Sequence, residues 1–496
     1  MKKLLFGFTF LISLITFAQT NVSGPYFTNT VWNLSGSPYN LYGDVQIPDG
    51  VSLTIEPGVV INFNSDYEIL IKGTLISNGT SSQPIKLNGN VSGKAMLMFK
   101  STNLNNSKLS FIEFTGPKYA LQLAQESEHS EDVIKNSGTL NITNISLNNT
   151  RVQTNGYATT AKLLIENAII SSTTIIGVYP RSETLELKNC TITNCLVKSD
   201  SYNYGIIVNE CTANNTQFSI GCCDANLKFL NSNISDSSIS EGDGNPKNGP
   251  VKIINSQLTN TPLNLPSARV EITGSNFNYN TSNGLIFGNG IFECSQITGN
   301  NLGTAIKITG YSGYDIGSNV IISNATVKNN SVGIDISNAN VISISNSNIY
   351  NNTTYNIKNS SIKTITATNN WWGSIDTSII NSKIYDYYDN INLGNVNYTN
   401  YFNSLINNCS TLSTDTFLKN KKIAIYPNPN KGIVNIDLGV KSEVSIKVFN
   451  LNGQVIYNAE NIYTQLYQFE LNQVSGLYII EITNQGNKQY FKLLRR

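Results

Sequence analysis

The sequence predicts an all-β chain: a parallel β-helix of about 22 residues per coil, followed by a small C-terminal β-sandwich. Three observations carry this reading. Apolar residues, many of them β-branched, alternate with polar ones over short runs, which is the period of a strand. The runs recur, as in "LNITNISLNN" at 140, "LELKNCTITN" at 185, "VKIINSQLTN" at 251 and "VISISNSNIY" at 341. From residue 423 this pattern gives way to alternating strands broken by Asn-Gly and Gly turns.

The chain opens with "MKKLLFGFTFLISLITFAQT": Lys2 and Lys3 precede an apolar stretch from Leu4 to Phe17, with small residues before the Ala18-Gln19 junction. Residues 1–18 therefore read as a signal peptide, and the mature chain is expected to begin at Gln19. No later stretch approaches the roughly 18 uninterrupted apolar residues that span a bilayer, so no transmembrane segment is expected in the mature chain. Lys and Arg total 33 against 32 Asp and Glu, a net charge of +1, and no basic run could follow a phosphate backbone. Nucleic acid is excluded as a partner on that ground.

Residues 19–410 carry the coils and their two end caps. With one recurrent Asn slot taken as position zero, the series runs Asn144, Asn167, Asn189, Glu210, Asn231, Asn255, Gly274, Cys294, Asn324, Asn346 and Thr368. Steps range from 19 residues (Asn255 to Gly274) to 30 (Cys294 to Asn324). Two places before zero and three after stand inward apolar residues, such as Ile165 and Ile170 or Ile253 and Leu258; Thr366 breaks the first of these columns. Asn suits a fixed bend because it tolerates the left-handed backbone and can bond to the Asn of the next coil. A unit of this length with no helical half is too short for a strand-helix-strand crossover and suits one coil.

The last coil must hide an apolar cross-section, so bulky residues are expected at both ends of the array. The three tryptophans fall there: Trp32 at one end, Trp371 and Trp372 at the other. Adjacent strand residues face opposite ways, so only one of that pair plugs the core. The frame above makes it Trp371, and a slip of one residue would make it Trp372. Exposed Tyr residues, among 25 in the chain and including "YDYYD" at 385–389, read either as cap packing or as a binding surface.

Chemistry on such a rod needs carboxylates in neighbouring columns, paired for hydrolysis or joined by Ca²⁺ and a base for β-elimination. Glu186, Lys228, Lys252 and Glu271 share one outward column, and Glu166, Lys188 and Glu293 another, but no column from three before zero to three after stacks carboxylates on consecutive coils. The single histidine, His129, sits with Glu126, Glu128, Glu131 and Asp132 in "QESEHSED", read as a hydrated acidic loop and as a weak cation-site candidate. "EGDGNPKNGP" at 241–250 lacks calcium-loop spacing and reads as a turn. No metal or other cofactor is expected, Ca²⁺ entering only if the rod is a lyase.

Seven cysteines are spread thinly: Cys190, Cys195, Cys211, Cys222, Cys223, Cys294 and Cys409. Cys190 and Cys211 share the slot one after zero and stack inward on adjacent coils, as free thiols or as a disulfide. Cys222-Cys223, on a neighbouring loop, is the more accessible candidate for pairing.

The repeat resembles the right-handed parallel β-helix (pectate-lyase-like) proteins over most of the chain. "VWNLSGSPYNLYGDVQIPDGVSLTIEPGVVINF" at 31–63 and "ILIKGTLISNGTSSQPIKL" at 69–87 are similar to that family's N-terminal cap, and "TATNNWWGS" with "VNYTNYF" at 396–402 to its exit, with Asn400 where a proline is usual. After a polar linker at 411–422, residues 423–496 resemble the type A C-terminal sorting domain of the type IX secretion system. The matching features are Tyr426-Pro427-Asn428-Pro429, Gly432, "VFNLNGQVI" with Gly453, the Ser475-Gly476-Leu477-Tyr478 run, and a last strand ending in basic residues.

The second resemblance implies passage across the inner membrane by the signal peptide and across the outer membrane by the secretion machinery, with the tail normally removed. Its destination is the medium or the outer-membrane surface, by way of the periplasm. The functional expectation is a non-catalytic rod that engages polysaccharide, cell-surface glycan or another surface. The alternative, implied by the first resemblance, is a polysaccharide lyase or other carbohydrate-active enzyme acting on an acidic polysaccharide.

Overall fold

The computed structural model describes residues 19–124, 136–155, 161–178, 183–199, 205–221, 225–242, 250–280, 283–309, 318–407, 409, 423–450, 452–484 and 487–496. The chain divides into two compact units, Met1–Thr411 and Leu412–Arg496.

In the first unit every strand pairing is parallel, and each strand pairs with its counterpart one coil away. One coil shows the plan: strands Thr139–Thr143, Ser146–Asn148 and Arg151–Asn155 are followed by Lys162–Glu166, Ile169–Ser171 and Thr174–Val178. Leu140 pairs with Leu163, Leu147 with Ile170 and Val152 with Ile175. Three parallel sheets result, here called first, middle and third in chain order. Alternation places Leu140, Ile142, Leu147 and Val152 in the core and turns their neighbours outward. The buried column then runs without interruption, with Phe218 against Phe229 edge-on at 4.9 Å between ring centres.

The bends between sheets are set by backbone conformation. Asn144, Asn167, Asn189, Glu210, Asn231, Asn255, Cys294, Asn324 and Asn346 all take φ between 47° and 57°, and Gly274 takes 62°. This left-handed region costs an ordinary L-residue about 1–2 kcal/mol and an Asn less, which explains the choice of residue. A second left-handed column lies five residues on, at Asn149, Ser172, Asn194, Asn215, Asp236, Asn260, Asn329 and Asn351. The three-residue middle strand is what fits between the two bends.

The first bend turns a backbone N–H into the core, and where the next coil presents a Ser or Cys side chain it satisfies that N–H. Cys211 N–H donates to Ser232 Oγ (3.1 Å), Ser232 N–H to Ser256 Oγ (3.1 Å), Ser256 N–H to Ser275 Oγ (3.1 Å) and Ser275 N–H to Ser295 Oγ (3.0 Å). Cys190 joins the same ladder by donating its N–H to Cys211 Sγ at 3.4 Å. Both thiols are therefore free, hydroxyl-like members of a ladder. After the second bend, Thr216 N–H donates to Ser237 Oγ (3.0 Å) and Cys195 N–H to Thr216 Oγ1 (3.3 Å).

At the exit the frame slips by one residue. Asn369, at φ 58°, holds the zero slot in place of Thr368. Ser347 N–H donates to Asn370 Oδ1 (2.9 Å), Asn348 pairs with Trp371, and Ala367, not Thr366, fills the inward slot. Trp372, 3% exposed, is consequently the plug, and Trp371 is half-buried on the outside. At the other end Trp32 is buried, stacks on Tyr39 at 4.7 Å, and donates its indole N–H to Tyr26 Oη (3.1 Å).

Beyond the last coil the chain turns back along the rod. Phe402 N–H donates to the Asn370 carbonyl (2.9 Å), Ile406 bonds to Asn348, and Cys409 forms a disulfide with Cys294. This strap crosses successive coils in reverse order. Cys222, Cys223 and the linker lie outside the described residues.

The second unit is an antiparallel sheet of five strands curled round its own core, as a small sandwich requires. Ile433–Phe449 pairs with Val455–Glu470 along its length, with Ala424–Tyr426 near its start and with Gly476–Asn484 near its end; Asn487–Arg495 pairs with Gly476–Asn484. Val434, Ile436, Ile446, Val448, Phe469, Ile480 and Leu493 form the buried side.

Candidate functional site

In the second unit the residues of the Tyr-Pro-Asn-Pro stretch converge on the last strand. Asn428 Oδ1 accepts from Leu494 N–H (2.9 Å), and its Nδ2 donates to the Lys492 carbonyl (2.8 Å). Asn430, fully buried, donates from its backbone N–H (2.8 Å) and its Nδ2 (3.0 Å) to the Leu494 carbonyl. Its Oδ1 accepts from Gly432 N–H (3.0 Å), and its own carbonyl accepts from Arg496 N–H (2.9 Å). Gly432 takes φ 125°, a conformation open to glycine, and an added Cβ would lie 3.2 Å from the Arg495 guanidinium. Pro427 and Pro429 both follow cis peptide bonds.

Gly453, at φ 78°, completes a turn in which Asn450 Oδ1 accepts from Asn452 and Gln454 N–H, each at 3.0 Å. Gly476 pairs with Arg495, and Tyr478, buried beside Leu493, donates its hydroxyl to the Val474 carbonyl (2.6 Å). Motif residues far apart in sequence thus fasten the basic terminal strand to the sheet. Asn430 is the member that the sequence reading missed, although Pro-Asn-Pro-Asn followed by Gly was its visible signal.

On the first unit the first sheet carries ion pairs on several coils. Lys252 Nζ lies 2.6 Å from Glu271 Oε2, Arg269 is 3.0 Å from Glu271 Oε1, and Lys188 is 3.1 Å from Glu166. Pairing of this kind on a solvated face neutralises rather than catalyses. The middle sheet is different. From residue 146 to 298 its strands read SLN, IIS, TIT, TAN, NIS, QLT, NFN and QIT, with the central residue of each buried and the outer two turned out. Every outward residue is Ser, Thr, Asn or Gln except Ile169. The face is bounded at one end by the Lys86–Glu113 pair, 3.6 Å apart, and at the other by Lys328 and the strap. In the sequence this pattern is marked only by the lack of charge in these columns.

One further cluster brings Asp44, Asp66, Glu68 and Lys94 together on early coils. Asp66 accepts from the N–H groups of Ser92 (3.0 Å), Gly93 (2.9 Å) and Lys94 (3.2 Å), and the Gly93 bond foremost holds its carboxyl below the usual range. Lys94 is tied to Asp44, which raises the lysine, while burial raises Glu68. The backbone bonds of Asp66 and the Lys94–Asp44 pair do the work of a loop clamp. Among the described residues no three His, Cys, Asp or Glu side chains are placed to hold a metal ion. Glu126, Glu128, His129, Glu131 and Asp132 lie outside the described residues, as does Ala18; Gln19 is exposed at the first described position. No helix among the described residues is long and apolar enough to cross a membrane.

Fold and site together define a parallel β-helix protein that carries a separate export unit. Residues 424–495 match the secretion system C-terminal sorting domain family, so the second unit is a type IX sorting domain and the chain is a secreted or cell-surface protein. No curated protein matches the chain.

Among solved structures, a mutant tailspike protein of E. coli bacteriophage HK620 overlaps it at 9% identity, covering 94% of this chain and 85% of that one, with a TM-score of 0.22. A second HK620 tailspike mutant, in complex with a pentasaccharide, overlaps at 10% identity over 95% and 84% with a TM-score of 0.20. The tailspike gp49 of Acinetobacter baumannii bacteriophage Fri1, a capsular polysaccharide depolymerase, does so at 10% over 91% and 73% with a TM-score of 0.14. Overlaps of this quality carry no argument about this chain's activity.

Proposed function

We propose that the protein is a non-catalytic rod that binds polysaccharide or another glycan surface outside the cell. Residues 1–18 deliver the chain to the periplasm, the tail at 423–496 takes it across the outer membrane, and residues 19–410 are the working part. The observation that carries the reading is the middle sheet's outer face, a rigid row of uncharged hydrogen-bonding groups repeated at about 4.8 Å from coil to coil. Such a surface offers many weak contacts in register and no group with an unusual protonation state to drive a reaction. A lyase acting on an acidic polysaccharide would draw on Asp44, Glu68 and Lys94, but Lys94 is already held by Asp44.

The test is incubation of the purified protein with acidic and neutral polysaccharides, with and without Ca²⁺, following absorbance at 235 nm, reducing ends, and retardation in polysaccharide-containing gels. Retardation without new ends is expected. New unsaturated or reducing ends would replace this reading with the enzymatic one.

A further inference from the structure

The geometry points to the middle sheet's outer face as the binding site itself, and to a neutral, hydroxyl-rich polysaccharide lying along the rod axis as its occupant. The inference rests on the binding reading above and narrows it to one face and one ligand class.

Three features of the face support it. The first is charge. Between Ser146 and Thr298 the outward strand positions hold no acidic or basic side chain, and the carboxylate at their border, Asp236, accepts from Asn214 Nδ2 (3.2 Å), while the first sheet of the same coils carries Glu166, Lys188, Lys252, Arg269 and Glu271. An acidic polymer would find no counter-charge here and would lose hydration without recompense. A neutral polymer loses little and can exchange its water-bonded hydroxyls for amides and hydroxyls that both donate and accept.

The second is spacing. The two outward columns are about 6.6 Å apart across the strand and repeat at about 4.8 Å along the rod, so the array is a lattice of donors and acceptors. The rigid β-helix prepays the ordering of these groups, which favours many-point attachment of an extended chain.

The third is a precedent inside the molecule. At the far end of the same column Asn348 holds a polymer that runs along the rod: its Oδ1 accepts from Ile406 N–H (2.8 Å) and its Nδ2 donates to the Ile406 carbonyl (2.9 Å). Asn233, Gln257, Asn276 and Gln296 occupy the equivalent position on earlier coils. The strap shows what an amide in this column does when an extended neutral chain passes over it. Ser146, Asn148, Thr191, Thr212, Asn214 and Asn278 are the exposed polar members of the array.

The experiment uses the full chain in affinity electrophoresis and pull-down with a neutral β-glucan, chitin, alginate and polygalacturonate, at low and high salt. Four proteins are compared: wild type, the charge-introducing Thr191→Asp/Thr212→Asp, the milder Thr193→Val/Asn214→Ala, and Lys307→Gln on the third sheet. The proposal expects a neutral polymer to bind with little dependence on salt. It expects at least about tenfold weaker binding in the Asp variant, a smaller loss in the milder one and none in Lys307→Gln.

Circular dichroism and thermal melting of each variant separate loss of binding from loss of fold, and the milder pair keeps the test decisive if the Asp variant unfolds. Neutral binding unchanged in both face variants would overturn the choice of face and leave the binding rod standing. Salt-sensitive binding confined to alginate or polygalacturonate would overturn the ligand class. Retardation by no polymer would remove the binding reading as well.

Discussion

Cys409 is bonded to Cys294, a residue that occupies one of the left-handed bends, with 5.6 Å between their Cα atoms and a sequence separation of 115. The bond fastens the end of the strap to a coil well inside the rod. Between plug and bond the strap is held by Asn370 and Asn348. Removal of the tail beyond Cys409 would leave the plug, the strap and the anchor in place.

Cys409→Ser should therefore free the strap without unfolding the coils. Loop closure over this separation contributes up to about 4–5 kcal/mol in the chain-entropy model, but here it acts on a local segment, and the coils keep their own ladders. Limited proteolysis should cut the variant, or wild type under reductant, between residues 398 and 409 well before the repeats. Equal cleavage of oxidised wild type and variant would mean that the bond holds nothing.

The buried ladder makes a second, sharper distinction. Ser256→Ala removes the acceptor of the Ser232 N–H and should cost about 1–3 kcal/mol, because a buried donor is left unsatisfied. Cys211→Ser changes more chemistry but keeps an acceptor for Cys190 N–H and a donor to the Asn209 carbonyl, so it should stay within about 1 kcal/mol of wild type. Urea unfolding of the two variants gives the comparison, and reversal of their order would show that the ladder is not what satisfies the bends.

Much of this fold was legible because its period is written in residues with strong conformational meaning. The Asn slot marked the first bend, and the alternating β-branched residues marked the strands on either side. The second bend is less legible because Ser172 and Asp236 vary the Asn theme there. The exit frame failed by one residue at Thr368, where three consecutive polar residues precede the tryptophans and only pairing with the previous coil decides the register. Cys294 with Cys409 could not be foreseen, since the strap that joins them has no period. The sorting domain was recognisable from its motif, but the grip of Asn430 on the terminal strand depends on an antiparallel pairing that sequence does not spell out.

The register correction predicts opposite fates for the adjacent tryptophans. Trp372→Ala should destabilise the first unit by about 3–5 kcal/mol through the cavity left at the end of the core, whereas Trp371→Ala should cost less than about 1 kcal/mol. Trp372→Phe adds a check: the indole N–H is buried with no hydrogen-bond partner, so replacing the ring by an apolar one should cost far less than the alanine change. Thermal denaturation followed by tryptophan fluorescence distinguishes the three variants, and a larger loss at Trp371 would restore the frame read from sequence.

The sorting motif can be divided into residues that hold the domain together and residues that are displayed. Asn430→Ala removes two side-chain bonds, to the Leu494 carbonyl and from Gly432 N–H, at a fully buried position. It should cost about 1–3 kcal/mol and loosen the last strand, seen as faster hydrogen exchange at Leu494 and Arg496. Tyr426 is 45% exposed, so Tyr426→Ala should leave that exchange unchanged and cost under about 0.5 kcal/mol. Secretion of the two variants then separates fold from recognition. Failure of Asn430→Ala alone means that the machinery needs the strand held in place, whereas failure of Tyr426→Ala with exchange intact means that the tyrosine is itself part of the surface the machinery reads.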